Sequence, residues 1–241
     1  MFKVMTYNIQ HGIDYIHRLS TGDVRIDLLK IASIIKDTNA SIISLNEVYD
    51  APVKDLDKQA FFIASKLGFN YVFGKAIDIR GGEYGNALLS KYPILEYEVI
   101  KIDDATKKNE PVFYESRSII KSKIEVEGTI YNVLVSHFGL TKEEQTNATD
   151  KLLKLVNGLD NVIFMGDLNM MPTSFNYLRI KEVLTNVVPE EYLTYPSNKL
   201  FDRRDYIFVS KDILKYLTYS FGIPYTFEDM SWTAASFSDN P

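Results

Sequence analysis

The sequence predicts a mixed α/β fold in which apolar strands deliver polar side chains to one cleft. Apolar runs of strand length, rich in Val, Ile, Tyr and Phe, are interspersed with segments whose apolar residues recur at helical spacing. Aromatic residues make up 13% of the chain, which suits a strand-rich protein. Nearly every polar residue of chemical interest follows a strand run, so we expect the site at the strand ends.

Length and composition favour a single domain over residues 1–241. No linker rich in Pro, Gly or Ser divides the 241 residues, and 46% hydrophobic residues provide a core. The chain has no cysteine, which excludes disulfides, thiolate metal sites and a cysteine nucleophile. Any metal must therefore be a hard ion with oxygen ligands.

The N-terminus lacks the apolar run of a signal peptide, and no segment reaches the roughly 18 apolar residues of a membrane span. We expect a cytoplasmic protein without integral membrane segments, although a secreted chain whose leader has been removed would read the same. A net charge of −5 and a pI near 5.3 do not favour a broad nucleic-acid surface. Cleavage of nucleic acid at a local site stays open.

In the first third of the chain, two predicted strands end in polar residues. One delivers Asn8 and the other runs into Glu47, for which a surface position after a strand is the commoner outcome. Asp23 is the expected N-cap of the first helix, and Gly68 closes the second. The predicted elements are strands over 2–9 and 41–45 and helices over 24–40 and 55–67.

Strands dominate the middle of the chain. Glu127-Gly128 is a tight hairpin signal between the last two of them. His137 follows the final strand, where a structural histidine is the commoner alternative to a catalytic one. Thr141 and Glu144 form a capping box for a helix that Gly158 ends. The predicted strands cover 71–73, 80–90, 94–100, 117–126 and 129–136, with a solvated loop at 101–111.

The stretch 161–172 carries the strongest chemical signal. The apolar run Val162–Met165 stops at Gly166, and Asp167 and Asn169 follow one residue apart, so they lean to the same side of an extended segment. A carboxylate and an amide there can hold a divalent cation, orient a water or bind a phosphate oxygen. A simple turn stabilised by the two side chains is the alternative.

Polar residues also mark the last part of the chain. After a helix predicted over 174–184, Asp205 begins an apolar run inside a strand predicted over 201–210. A carboxylate in that position needs a partner, or it lies at the surface. Asp239 and Asn240 stand at the terminus.

Six of these motifs, in this order, resemble those of the endonuclease/exonuclease/phosphatase family, over essentially the whole chain. Each motif alone is weak evidence, and their order makes the resemblance specific. The motifs are Thr-Tyr-Asn-Ile at 6–9, Leu-Asn-Glu-Val at 45–48, the stretch 82–94 around Gly-Asn-Ala-Leu-Leu-Ser, Ser-His-Phe at 136–138, Gly-Asp-Leu-Asn at 166–169 and Arg-Asp-Tyr-Ile-Phe-Val-Ser at 204–210.

The resemblance implies a four-layered sandwich of two mainly antiparallel sheets flanked by helices. It implies Mg²⁺ or Mn²⁺ held by Glu47 with Asn8 and Asp239, an attacking water oriented by Asp167, and contacts from Asn169 to metal or phosphate. It also implies that His137, as a side chain titrating near neutrality, donates to a phosphoryl oxygen or leaving group. Arg117 is either a substrate contact or a surface charge on its strand.

The chain departs from the family pattern at its end. Family members usually read Ser-Asp-His, with Asp205 orienting that histidine, whereas this chain has Asn240, which cannot accept a proton from water at neutral pH. An engineered change, a natural variant using Asp167 or metal-bound hydroxide, and a non-catalytic relative all fit this departure. We also expect the domain to lack the family's final C-terminal strand.

The expected function is a metal-dependent phosphoric-ester hydrolase, a phosphodiesterase or phosphatase that uses an activated water. A small phosphoester or a lipid headgroup is the favoured substrate, and an endo- or exonuclease on DNA or RNA is the alternative within this class. Two alternatives belong to other classes. One is a non-catalytic module that binds a phosphorylated ligand or a protein, and the other is a structural domain whose polar strand ends only make turns.

Overall fold

A computed structural model describes residues 1–50, 58–106, 114–195, 202–223 and 232–238, and within these ranges the chain forms two six-stranded sheets and five α-helices. In spatial order, the first sheet contains β11 (Leu217–Ile223), β12 (Trp232–Phe237), β1 (Phe2–Asn8), β2 (Ile42–Asp50), β4 (Gly82–Ser90) and β3 (Asn70–Ile79). The second contains β5 (Ile94–Lys101), β6 (Ser118–Val126), β7 (Thr129–His137), β8 (Val162–Asp167), β10 (Asp205–Val209) and β9 (Thr185–Asn186). The helices are α1 (Tyr15–Thr21), α2 (Leu28–Thr38), α3 (Gln59–Leu67), α4 (Lys142–Val156) and α5 (Phe175–Val183).

Each sheet is mainly antiparallel but has one parallel pair near its centre. In the first sheet β1 runs parallel to β2, and in the second β7 runs parallel to β8. The carboxyl ends of a parallel pair lie at the same edge of the sheet, so each pair delivers the residues that follow its strands to one place.

The side-chain alternation along the strands produces four layers. Val133 and Val135 of β7 pack between the sheets with Val4 and Ile42 of the first sheet, while Leu134 faces the other way. Leu134 joins a second core beneath α4 and α5, and a third core lies between the first sheet and the helices α2 and α3. The sheets therefore form the two inner layers and the helices the outer ones, which confirms the predicted fold class.

Local signals fixed several boundaries as predicted. Glu127 and Gly128, with φ of 51° and 84°, make the tight turn between β6 and β7. The Thr141 and Glu144 capping box begins α4, and Gly68 closes α3 in the left-handed conformation at φ 70°.

Other elements differ from the predictions. The predicted helix over 24–40 begins only at Leu28, where Asp27 rather than Asp23 is the N-cap, because Ile26 bridges to Ile13 in an extended backbone. The strands β11 and β12 and the short, mostly polar helix α1 were not predicted. Parts of the predicted helix over 55–67, of the loop at 101–111 and of the strand over 201–210 lie outside the described residues, as do Asp239 and Asn240. Among the described helices, none has the length and apolar character needed to cross a membrane.

Candidate active site

The strand ends of both sheets meet at one cleft. Asn8 and Asn46 stand opposite each other on the parallel strands β1 and β2, and His137 stands opposite Asp167 on β7 and β8. The antiparallel strand β10 begins with Asp205 directly opposite Asp167. Strand register thus aligns two of these polar residues in the first sheet and three in the second, and the packing of the sheets brings the two groups together.

One half of the cleft carries two carboxylates joined by an amide. Asn8 Nδ2 donates to Glu47 Oε1 at 2.8 Å and to Asp167 Oδ2 at 3.2 Å, while Asn8 Oδ1 accepts from the Gln10 N–H at 3.1 Å. Glu47 lies where the pairing of β2 with β4 shifts register, and its φ of 57° is a conformation that non-glycine residues rarely adopt. The backbone strain at Glu47 marks a residue held in place by its surroundings.

The two sheets are connected beneath this half by Asn46, whose role was not predicted. Asn46 is fully buried, and its Oδ1 accepts from the Asp167 N–H at 3.1 Å. Its Nδ2 donates to Asn86 Oδ1 at 2.8 Å and to the Ser136 carbonyl at 3.0 Å. The signal in the sequence was an asparagine within an apolar strand run. A buried amide has to be hydrogen-bonded, so such a residue is expected to contact other polar groups.

The other half of the cleft is built around His137. Arg117 Nη1 lies 3.0 Å from its Nδ1, and Asn169 Nδ2 lies 2.9 Å from its Nε2. Arg117 also pairs with Glu115 at 3.1 Å, and its side chain is only 11% exposed. Arg117 is therefore not a surface charge on its strand.

Arg204 completes this half and was not predicted. Its Nη1 donates to Asn169 Oδ1 at 3.3 Å, its Nε pairs with Asp202 at 3.2 Å, and its guanidinium lies 3.7 Å from the centre of the Tyr195 ring. Asn169 Nδ2 also donates to the Phe138 carbonyl at 3.0 Å, so the orientation of the amide is set on both sides. Two guanidinium groups thus flank His137 and Asn169.

The surroundings of His137 disfavour the charged form of its imidazole. Burial and the positive charges of Arg117 and Arg204 lower the pKa of His137 well below its usual range. This differs from the expectation of a histidine that titrates near neutrality. Asp167 does not reverse the effect, although its Oδ2 lies 3.8 Å from His137 Nε2.

Asp167 and Asp205 face each other, and the pKa of each carboxyl group is raised. Burial, opposed by hydrogen bonds from the Asn169 N–H and Asn8, and the charge of Glu47 raise the pKa of Asp167. Burial and the charge of Asp167 raise the pKa of Asp205 well above its usual range. Asp205 is 3% exposed, and its Oδ1 has no hydrogen-bond partner in the described part of the chain.

The carboxylate half has the chemistry of a magnesium ligand set, although it is incomplete. No three Asp, Glu or His side chains among the described residues converge closely enough to hold a metal ion by themselves. Mg²⁺ is commonly held by one or two carboxylates together with waters and substrate phosphate. Glu47 fits that requirement. Asn8 presents its Nδ2, which is a donor, to Glu47, so only its Oδ1, which accepts from the Gln10 N–H, could be a ligand. The third predicted ligand, Asp239, lies outside the described residues.

Comparisons with known proteins agree with this architecture. The chain is similar to the Escherichia coli K12 protein YbhP, with 26% identity over 228 residues, covering 86% of this chain and 84% of that protein. The fold matches an endonuclease/exonuclease/phosphatase from Beutenbergia cavernae with a TM-score of 0.74 and 18% identity, covering 100% of this chain and 72% of that one. It also matches the mannosyl-6-phosphatase Bt3783 of Bacteroides thetaiotaomicron with a TM-score of 0.70 and 16% identity, covering 99% and 100% of the two chains.

The family model described as "Endonuclease/Exonuclease/phosphatase family" matches residues 5–239, which is nearly the whole chain. Members of this family are hydrolases that cleave phosphoric esters. The strand-end cleft, the order of the motifs and this match lead to one conclusion: the chain belongs to the endonuclease/exonuclease/phosphatase family.

Proposed function

We propose that this protein is a divalent-metal-dependent phosphoric-ester hydrolase that attacks with an activated water and forms no covalent intermediate. A small phosphoester or a lipid headgroup is the favoured substrate, because the chain carries a net charge of −5 and the cations of the cleft are few and local. The mannosyl-6-phosphatase of similar fold is, by its name, an enzyme that acts on a phosphorylated sugar.

The observation that carries the proposal is an excess of hydrogen-bond donors at His137. A guanidinium cannot accept a hydrogen bond, and the Asn169 amide turns its NH₂ group toward the ring. A neutral imidazole has one lone pair, so it can accept from only one of these two neighbours. An anionic phosphoryl oxygen bound beside the ring would supply an acceptor for the donor that the imidazole leaves unpaired.

The carboxylate half provides the complementary chemistry. Asp167 Oδ1 accepts from the Asn169 N–H at 2.9 Å and Oδ2 accepts from Asn8, so the group is held in one orientation. Its raised pKa makes it a stronger base than an ordinary aspartate. We assign to Asp167 the proton acceptor role that Asn240 cannot fill.

The proposed reaction is a single displacement. The water oxygen bonds to phosphorus as its proton passes to Asp167 Oδ2, and the ester P–O bond breaks with its electron pair on the alcohol oxygen, which is protonated by solvent. His137, Asn169 and Arg117 hold the phosphoryl oxygens. A Mg²⁺ or Mn²⁺ ion held by Glu47 and Asn8 would neutralise phosphoryl charge and stabilise the leaving oxygen.

The test compares hydrolysis of bis(p-nitrophenyl) phosphate and p-nitrophenyl phosphate, with Mg²⁺ or Mn²⁺ and with chelator. We expect metal-dependent turnover that falls about 10²- to 10⁴-fold in Asp167→Asn. Glu98→Gln, at an exposed position on β5, is the matched control and should match the wild type. Turnover that survives both chelation and Asp167→Asn would overturn the proposal.

Asn240→His separates the hydrolase from the binding module. A rise in metal-dependent turnover identifies position 240 as a replaced base within a working site. If the wild type and Asn240→His are both inactive yet bind inorganic phosphate in calorimetry, the chain is a phosphate-binding module, and the hydrolase proposal fails.

A further inference from the structure

A cavity of about 340 Å³ lies beside the carboxylate half of the cleft, and no proposed catalytic role uses it. We call it the His11 cavity, after one of its lining residues. Much of its wall is aliphatic, and this part is formed by Ile13, Val24, Ile26 and Ile79. Val24 is 61% exposed and Ile79 36% exposed, so apolar surface faces solvent here. Apolar surface next to a catalytic cleft is a common feature of ligand sites.

Tyr84 joins the His11 cavity to the cleft. Tyr84 lines the cavity, and its phenol lies near enough to Glu47 for the carboxylate charge to act on it. Burial and the negative charge of Glu47 raise the pKa of the Tyr84 phenol, so the group stays a protonated donor. A ligand in the cavity therefore lies one side chain away from the proposed metal-binding carboxylate.

His11 lies in the same wall and carries a buried polar atom without a partner in the described part of the chain. Its ring meets the Tyr84 ring edge-on, with centroids 4.9 Å apart at 66°. Its Nδ1 is buried and has no hydrogen-bond partner within the described chain. Its backbone carbonyl is held by Gln59 Nε2 at 2.7 Å, so the residue is fixed while the ring nitrogen is not satisfied.

The mouth of the cavity is held open by a hydrogen-bonded turn. The Tyr49 hydroxyl donates to the carbonyls of Ile79 and Arg80 at 3.3 and 3.2 Å, and Arg80 and Gly81 both have positive φ. The exposed Arg80 has no ion pair to any residue that the structure describes, so its cation is available at the mouth. The cavity is thus shaped before a ligand arrives, which reduces the entropic cost of binding.

From these contacts we infer that the His11 cavity binds an apolar, aryl-sized ester group of the phosphoester substrate, an inference that rests on the proposed function. The volume lies in the range of small-molecule sites, and the lining combines aliphatic walls with two aromatic rings and few polar atoms. The substrate class is accordingly a phosphodiester of which one alcohol is hydrophobic.

The experiment uses two diesters with the same leaving group, methyl p-nitrophenyl phosphate and 1-naphthyl p-nitrophenyl phosphate. We expect the wild type to show a kcat/KM at least about 10-fold higher for the naphthyl ester, from the apolar area it buries. Val24→Trp, or Ile79→Trp should the first variant fail to fold, fills the cavity and should bring the ratio of the two kcat/KM values close to one. Ile130→Trp, at an exposed aliphatic position on the other sheet, should keep the wild-type ratio.

A calorimetric arm with 1-naphthyl phosphate and methyl phosphate separates this inference from the proposed function. Preferential binding of naphthyl phosphate, lost when the cavity is filled, supports the cavity even if neither ester is hydrolysed. If both esters are hydrolysed at similar kcat/KM and neither cavity-filling variant has an effect, the cavity does not bind the ester group. The hydrolase proposal is then unaffected. The inference also fails if the kcat/KM values show no preference for the naphthyl ester and calorimetry shows no binding of 1-naphthyl phosphate.

Discussion

Two buried polar clusters of this protein differ in how completely they are paired. At the start of α4, Thr141 and Glu144 exchange hydrogen bonds, with the Thr141 N–H and hydroxyl 3.0 and 2.8 Å from Glu144 Oε2. Glu144 Oε1 accepts from the Glu115 N–H, and Gln145 Nε2 donates to the Asn169 carbonyl at 2.8 Å. Both carboxylate oxygens of this cluster have partners.

The strand-end cleft has the opposite character. His137 stands between two donors, Asp205 Oδ1 has no partner among the described residues, and Glu47 and Asn169 have φ of 57° and 50°. Such unpaired groups and strained backbones each cost free energy of folding. The comparison teaches that the cluster that begins α4 pairs both carboxylate oxygens of its glutamate, whereas the strand-end cleft contains groups without partners among the described residues and backbones with positive φ.

Removal of the Asn169 side chain should separate activity from stability most strongly. In Asn169→Gly the backbone φ of 50° suits glycine, so the loop is preserved while the amide donor is lost. We expect hydrolysis to fall about 10²- to 10³-fold with a small change in Tm. Asn39→Gly, at φ 55° at the end of α2, is the control and should keep full activity. Activity within a few-fold of wild type would remove Asn169 from the site.

A substitution at Asn46 tests a fully paired residue inside the cleft. Asn46→Ala leaves the Asp167 N–H and the Ser136 carbonyl without their partner. A buried group left unpaired costs about 1–3 kcal/mol, and we expect a loss of this size in urea unfolding. Asn132→Ala, whose amide donates to the Asp160 carbonyl at an exposed position, should cost less. Equal losses in the two variants would contradict a connecting role for Asn46.

Loss of the α4 cap should affect stability alone. Thr141→Ala removes the hydroxyl that accepts from the Glu144 N–H, and an N-cap of this kind contributes about 1 kcal/mol. Thermal unfolding should show a lower Tm, and hydrolysis should be unchanged. Ser65→Ala, at an exposed position inside α3, serves as the control with little change in Tm. A loss of activity without a loss of stability would mean that the two clusters are not distinct.

The smallest net effect is expected at Asp205, where it depends on pH. Because its pKa is raised in the folded state, the unfolded chain loses this proton first as pH rises above about 4, and stability declines. The Asp205→Asn side chain cannot ionise, so the variant does not lose stability in this way. The Tm of the variant minus the Tm of the wild type should therefore be larger at pH 8 than at pH 4. The exposed Asp150→Asn should show no such rise. The same Tm difference at both pH values would contradict a buried, ionisation-resistant Asp205.

Much of the architecture could be predicted because its signals are local. The glycine turns, the capping box and the period-two strands each depend on a few neighbouring residues, and they placed β6, β7, β8 and α4 close to where they lie. Two kinds of element escaped prediction. The helix α1 lacks an apolar stripe, and β12 lies between β11 and β1, the second of which comes from the opposite end of the sequence.

The same distinction holds for the site. Seven residues that were named from the sequence lie in the cleft. They are Asn8, Glu47, Arg117, His137, Asp167, Asn169 and Asp205. Arg204 and Asn46 were not assigned to the site, since each acts through a partner distant in sequence.

The sequence by itself determined the family, the order of strands and helices in most of the chain and the types of chemical group at the strand ends, because these follow from short patterns. Only the tertiary structure decided that the pKa of His137 is lowered, that Asp167 and Asp205 face each other, and that an apolar cavity is lined by Tyr84 and His11. Charge state and cavity shape depend on desolvation and on neighbours distant in sequence, which no local pattern encodes.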